Sequence, residues 1–339
     1  MSGRLRAAAV RVVGTIAVAT AAVAMLAGCG ATQHSARTPP ISTLCVDVDL
    51  PLAGGDGASP AAGRAARGFL TGVEMQIPSA GLRIGAYRVR LCAVHDDAPV
   101  GDLASAEVIT LAARHAAANV HTIAVIGELN ATDAEIADVP LAAAGIPLIT
   151  PSGPLASASA AGAAPAPSGA GGIAAAVPLS PHPTTFYLMP SVATQAAAVR
   201  EVALLHDCRS TRRVHAGCTV SGVENPPLCT GLGSASPRLV RYCVLAGTGQ
   251  LANWSTPALA YGESAGRLLV ATLETAAGAG ANIADRSVLV RRLLTSRLVQ
   301  SPIGPVRFDA RGGIVADEFA VFSVDDRGRS TLLQTFRTH

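Results

Sequence analysis

Apolar runs broken at regular intervals by glycine and proline set the pattern of this chain. Thr122 to Ile126 is short, apolar and rich in β-branched residues, which predicts a strand buried on both faces. Gly127 interrupts it. Thr132 stands three residues before Glu135 in the order of a capping box, so the pattern predicts a helix starting at Thr132 and ending at Gly145. Ile146 to Thr150 is the next strand. The same alternation runs through the preceding residues. A strand is predicted over Leu44 to Leu50, and a helix over Ala61 to Gln76, where Ala62, Ala65, Ala66, Phe69, Leu70 and Val73 recur at helical spacing. A strand over Tyr87 to Val94 and a helix over Leu103 to Ala118, capped by Asp102, follow. Further on, Thr256 and Pro257 open a helix through Ala276, and Asp285 caps one over Arg286 to Val299. Strands alternating with helices of this length build parallel sheets. Ligands of such sheets sit beyond the carboxyl ends of the strands. Two loops qualify, Glu128 to Thr132 and Pro151 to Pro154. The first opens a helix, whose free N–H groups favour an anion.

Composition narrows the function. With 339 residues, 50% of them hydrophobic and 14% charged, the chain is long enough for two domains with real cores. Its formal net charge of +3 is matched by Arg4, Arg6 and Arg11 at the extreme N-terminus, so the remainder is near neutral and nothing points to nucleic acid. All 26 basic residues are arginine, which excludes a Schiff-base or P-loop lysine. The three arginines are followed by an apolar, uncharged stretch from Val12 to Met25 and by Leu26-Ala27-Gly28-Cys29, which matches the bacterial lipobox. A lipoprotein signal peptide over 1–28 is therefore expected, with Cys29 the lipid-bearing first mature residue and 29–41 a tether. Export implies an oxidising compartment, where Cys45, Cys92, Cys208, Cys218, Cys229 and Cys243 favour disulfides. Cys45 and Cys92 fall on neighbouring predicted strands and are a candidate pair; the other four have three possible pairings. His206, Cys208, His215 and Cys218 could alternatively hold a metal, but exported cysteines more often pair with each other. His95-Asp96-Asp97 reads as a strand-end turn rather than a metal site. No metal or cofactor is expected.

Several stretches carry a family likeness. They are Pro51 to Gly55; Val125-Ile126-Gly127; Ala144-Gly145-Ile146-Pro147-Leu148-Ile149-Thr150-Pro151-Ser152; Phe186 to Gln195; Gly304 to Gly313; and Phe319 to Asp326. Together they resemble the extracytoplasmic solute-binding proteins of ABC importers, in particular the branched-chain amino-acid type. The resemblance implies an α/β fold of two Rossmann-like lobes with parallel sheets, the type I periplasmic binding architecture. The first lobe is expected over 42–182, with a low-complexity insert at 156–180. The second lobe is expected over 183–255, the chain returning to the first at 256–315 and closing in a strand region at 316–339. The second lobe reads as truncated, because the family spends far more residues between positions 206 and 257 than this chain does. Carried over by motif, the ligand contacts are Leu52 and Gly54, then Asn130, Ala131 and Thr132, then Ser152 and Gly153. Two positions depart from the pattern: Ala131 stands where the family has serine, and Pro154, with neither hydroxyl nor N–H, where it has threonine. The implied partners are a small amino-acid-like or carboxylate solute, ABC permease subunits, and the membrane through the lipid anchor on the extracytoplasmic face.

Two other readings compete. One is a degenerate relative that kept the scaffold and serves as a sensor or interaction protein. The other rests on Gly262-Glu263-Ser264-Ala265-Gly266, which fits the nucleophile elbow of serine esterases. That chemistry needs a strand before Ser264, and Pro257 makes a poor one. It also needs a downstream histidine, and only the terminal His339 follows. A helix with Tyr261, Ala265, Leu268 and Leu269 facing the core is the better reading, so no catalytic residue is expected.

Overall fold

The computed structural model describes residues 42–52, 60–96, 105–154, 183–191, 241–246, 257–315, 318–324 and 330–337. Outside them lie Cys29 with the signal peptide and tether, Gly54, the Asp102 cap, the low-complexity insert, the helix expected after Ser191, and Cys208, Cys218 and Cys229.

Five parallel strands carry the fold: β1 (Ser42–Leu50), β3 (Tyr87–Asp96), β4 (Thr122–Gly127), β5 (Leu148–Thr150) and β6 (Thr185–Tyr187). A short β2 (Leu82–Ile84) pairs antiparallel with β3 at the edge, and the sheet order is β2-β3-β1-β4-β5-β6. Thr185–Tyr187, which the sequence reading put at the start of the second lobe, is thus the last strand of the first sheet.

Alternation along β1 explains the layering. Leu44, Val46, Val48 and Leu50 face one apolar cluster, which they share with α1 (Pro60–Gln76), α4 (Pro257–Gly278) and α5 (Arg286–Thr295). On the other face, Val125 and Leu148 pack against α2 (Ser105–Ala118) and α3 (Ala131–Ala143). Parallel strands need helices on both sides to remove both faces from water, and every residue of β4 is buried. A second, antiparallel sheet has the order β11-β10-β7, formed by β7 (Arg241–Ala246), β10 (Glu318–Val324) and β11 (Ser330–Arg337). Ala320 of β10 is buried in the first apolar cluster.

Helices α1 and α4 cross at their glycines. A Cβ on Gly262 would stand 2.0 Å from the carbonyl oxygen of Phe69, and one on Gly72 would stand 2.3 Å from that of Leu259. Only glycine permits this approach. The Gly262-to-Gly266 motif is therefore a packing seam in the middle of α4. Ser264 is buried and its hydroxyl donates to the Ala260 carbonyl at 2.7 Å.

Helix α5 begins at its expected cap, Asp285, whose carboxylate accepts the Ser287 N–H. It ends at Thr295, short of the predicted Val299. The hydroxyls of Thr295 and Ser296 donate back to carbonyls of Arg291 and Arg292, and the chain then leaves as β8 (Arg297–Leu298), which pairs with β9 (Val306–Arg307). Arg286, in the first turn, reaches across the sheet's amino-terminal edge. Its guanidinium donates to the carbonyls of Thr122 at 2.9 Å, Asn119 at 2.7 Å and Ala144 at 3.3 Å. Asn119 and Ala144 lie just past α2 and α3, so one planar fork satisfies chain ends that the helices leave open.

Candidate functional site

Strands β1, β4, β5 and β6 run the same way, so their carboxyl ends share one edge. Gly127 lets β4 close on β1 there, since a Cβ at that position would meet the Asp49 carbonyl at 2.2 Å. The next N–H, of Glu128, donates to that carbonyl at 3.0 Å. Glu128 is fully buried with φ of +57°, a left-handed conformation that costs a bulky residue roughly 1–2 kcal/mol. Such strain marks a turn held by its surroundings.

That turn sets the start of α3 two residues earlier than expected. Asn130 is the N-cap, extended at φ −127°, ψ 159°, and its side-chain oxygen accepts the Asp133 N–H at 2.8 Å. The Asn130 amide in turn donates to the Asp133 carboxylate. The reciprocal pair is thus Asn130 with Asp133, not Thr132 with Glu135. Thr132 lies inside the first turn, exposed. Asparagine caps at least as well as threonine, and the turn at Glu128 delivers it in the extended conformation a cap needs.

The two candidate loops are bound together. The Thr150 hydroxyl donates to the Glu128 carbonyl at 2.7 Å, accepts the Ser152 N–H at 3.0 Å and lies 2.8 Å from the Ser152 hydroxyl. The β6 exit joins them: the Leu188 N–H donates to the Thr150 carbonyl and the Met189 N–H to that of Ser152. Leu52, on the β1 exit, is half-buried, and its N–H donates to the Asp96 carboxylate at 2.9 Å.

The sequence-predicted residues of these two loops differ in exposure. Ala131, Ser152 and Gly153 are buried; Asn130 and Pro154 are half-buried at the rim, and Thr132 faces out. Ser152 has turned its N–H and hydroxyl inward to Thr150. At the opposite side of the junction, Ala131 and Thr132 belong to the first turn of α3, where N–H groups have no carbonyl four residues back.

A set of residues that sequence reasoning missed lies beneath this edge. Asp47 and Asp49 are both fully buried. They alternate with Val46, Val48 and Leu50, so period-two counting puts them on the face that α2 and α3 cover. That alternation was the available signal. Asp47 accepts the Thr122 hydroxyl at 3.0 Å. Neither carboxylate oxygen of Asp49 has a hydrogen-bond partner among the described residues. Burial, reinforced by Asp47, pushes Asp49 up to about 7. Burial also raises Asp47, against the Thr122 hydrogen bond and the field of His95.

His95 reaches this face through a bulge. Val46 pairs with Leu91 and Asp47 with Ala93, leaving Cys92 extra. The extra residue inverts the alternation beyond it, so His95 comes level with Asp49. Its ring meets His115 of α2 edge-on at 5.4 Å, and burial lowers its pKa. The bulged Cys92 forms a disulfide with Cys45 on β1, the pair that neighbouring strands suggested. Among the described residues no group of three or more His, Cys, Asp or Glu is placed to hold a metal ion, and no helix is long and apolar enough to cross a membrane.

No protein-family model matches the sequence, and no curated protein matches it. Solved structures do resemble the fold. A leucine-binding protein from Thermotoga maritima superposes with a TM-score of 0.58 at 12% identity, covering 87% of this chain and 99% of that one. A solute-binding protein of an ABC transporter from R. palustris, in complex with benzoate, gives 0.56 at 15% identity, covering 87% and 96%. An ABC transporter substrate-binding protein from Desulfitobacterium hafniense, in complex with leucine, gives 0.54 at 15% identity, covering 86% and 100%. Sheet order, helix placement and these superpositions agree: the chain has the α/β fold of the substrate-binding proteins of ABC transporters, with a mostly parallel sheet.

Proposed function

We propose that this chain is a lipid-anchored solute-binding protein that delivers a small carboxylate-bearing solute to an ABC importer. One observation carries the reading. The Thr150 hydroxyl ties the β5 exit to the Glu128 carbonyl, so the loop of Ser152 and Gly153 lies against the open amino end of α3. The N–H groups of Ala131 and Thr132, and the positive end of the helix dipole, favour a carboxylate there. Asn130, Gly153, Leu52 and Gly54 complete the contact set. The solute lies in the interlobe cleft that the resemblance implies. Solved proteins of this fold that carry leucine or benzoate support the ligand class. Cys29 anchors the chain on the extracytoplasmic face, and permease subunits are its partners. The role is capture, not catalysis.

Calorimetric titration of the full chain against amino acids, their amides and aromatic carboxylates tests this. A dissociation constant in the micromolar range for a carboxylate, and none for its amide, is the expected result. A panel with no binder at millimolar concentration would refute it. The inward turn of Ser152 favours the second reading in that event, a binding scaffold retained as a sensor or interaction module. Labelled palmitate entering the wild type but not a Cys29→Ala variant tests the anchor.

A further inference from the structure

We propose that Asp49 couples capture of an anionic solute at this edge to uptake of one proton. The proposal rests on the solute-binding reading and names the regulation of the same site.

Position comes first. Asp49 is the penultimate residue of β1, and its carbonyl accepts the N–H of Glu128, the residue that opens the candidate loop. Ala131 is three positions past Glu128, a span of at most about 10 Å, so an anion at the start of α3 stands on the order of 10 Å from Asp49. Environment comes second. The side chain is fully buried, and neither oxygen has a hydrogen-bond partner among the described residues. The groups around it come from several elements. Asp47 shares its strand and face; His95 comes level from β3, with His115 of α2 against that ring. Glu128 follows β4, and Asp133, held by Asn130, stands in the first turn of α3. Asp47 differs from Asp49 in having the Thr122 hydroxyl to stabilise its charge. Among the described residues Asp49 has no such donor, and burial, reinforced by Asp47, pushes it up to about 7.

The consequence follows from Coulomb's law. Two unit negative charges about 10 Å apart, at an effective dielectric of about 20, disfavour each other by a factor of roughly ten to twenty. An arriving carboxylate therefore raises the proton affinity of Asp49 by about that factor. By reciprocity the proton raises the affinity for the carboxylate equally. The proton comes from solvent and rests on the Asp49 carboxyl; no bond of the solute changes. The device binds solute tightly in an acidic exterior and loosens as the surroundings become alkaline.

Titration calorimetry with benzoate, and with L-leucine as a second probe, tests this on the full chain between pH 6 and pH 8. Buffers of low and high ionisation enthalpy report the protons taken up. Affinity for benzoate falls about five- to sevenfold from pH 6 to pH 8 in the wild type, with net proton uptake near neutral pH. Asp49→Asn removes both effects and binds at pH 8 about as the wild type binds at pH 6. Asp49→Ser, smaller and also neutral, gives the same flat profile, and His95→Gln keeps the wild-type slope. A flat wild-type profile, or a slope that survives in both Asp49 variants, overturns the coupling while leaving solute binding intact. Absence of binding by either probe at every pH overturns the solute-binding reading, and the coupling with it.

Discussion

Replacing Thr150 by valine probes the junction on which the site depends. Valine keeps the β-branched shape that suits a strand, so the change removes a hydroxyl and leaves little cavity. That hydroxyl serves three groups in a buried place: the Glu128 carbonyl at 2.7 Å, the Ser152 N–H at 3.0 Å and the Ser152 hydroxyl at 2.8 Å. The Ser152 hydroxyl can rotate to another acceptor. The carbonyl and the N–H are fixed by the backbone, and stranding a buried polar group costs about 1–3 kcal/mol each. Partial relaxation brings the expected loss to roughly 2–4 kcal/mol, a large effect for one substitution. Urea unfolding should show a lower midpoint at unchanged slope. Hydrogen exchange should rise at the amides of 128–133, because the left-handed turn at Glu128 loses its clamp. Thr150→Ser, which retains the hydroxyl, should stay within about 1 kcal/mol of the wild type. If the valine variant is as stable as the serine variant, with exchange at 128–133 unchanged, the junction does not hold the loops.

Other outcomes follow from the same structure. Burial, reinforced by Asp47, pushes Asp49 up to about 7 from the ordinary aspartate range near 4, so its raised pKa contributes stability at low pH that is lost as pH rises from about 4 to about 7. Asp49→Asn should therefore match the wild type near pH 4 and exceed it by up to about 4 kcal/mol at pH 8, read as the difference between two unfolding curves; equal curves at pH 8 would refute it. Arg286→Met should cost about 2–3 kcal/mol by stranding the three carbonyls it serves. Arg286→Lys should recover only part of that, since an ammonium lacks the planar fork. A fluorophosphonate probe should leave Ser264 unlabelled in the native protein, because its hydroxyl is fully buried and bonded to Ala260; stoichiometric labelling would revive the hydrolase reading.

The order of strands and helices was legible because both periods are local. Apolar residues every second or every third-to-fourth position state which face is buried, whatever covers it. The parallel sheet and the shared edge of the two loops followed from that order alone. So did the Cys45–Cys92 neighbourhood and the cap at Asp285. What the covering layer does to a residue was not local. The start of α3 moved from Thr132 to Asn130 because a left-handed turn at Glu128 is held by Asp49 and Thr150, residues far apart in the chain. Ser152 reads as a ligand donor in its motif, yet Thr150 draws its polar groups inward. Asp49 reads as an ordinary strand aspartate until the neighbouring strands and helices exclude water from both its oxygens. The five residues from Gly262 to Gly266 spell an esterase motif, and only the crossing of α1 over α4 shows the glycines answering to Phe69 and Gln76 instead. Sequence by itself determined the faces; tertiary structure decided which polar groups meet water, a solute or one another, because desolvation depends on everything packed around a group at once.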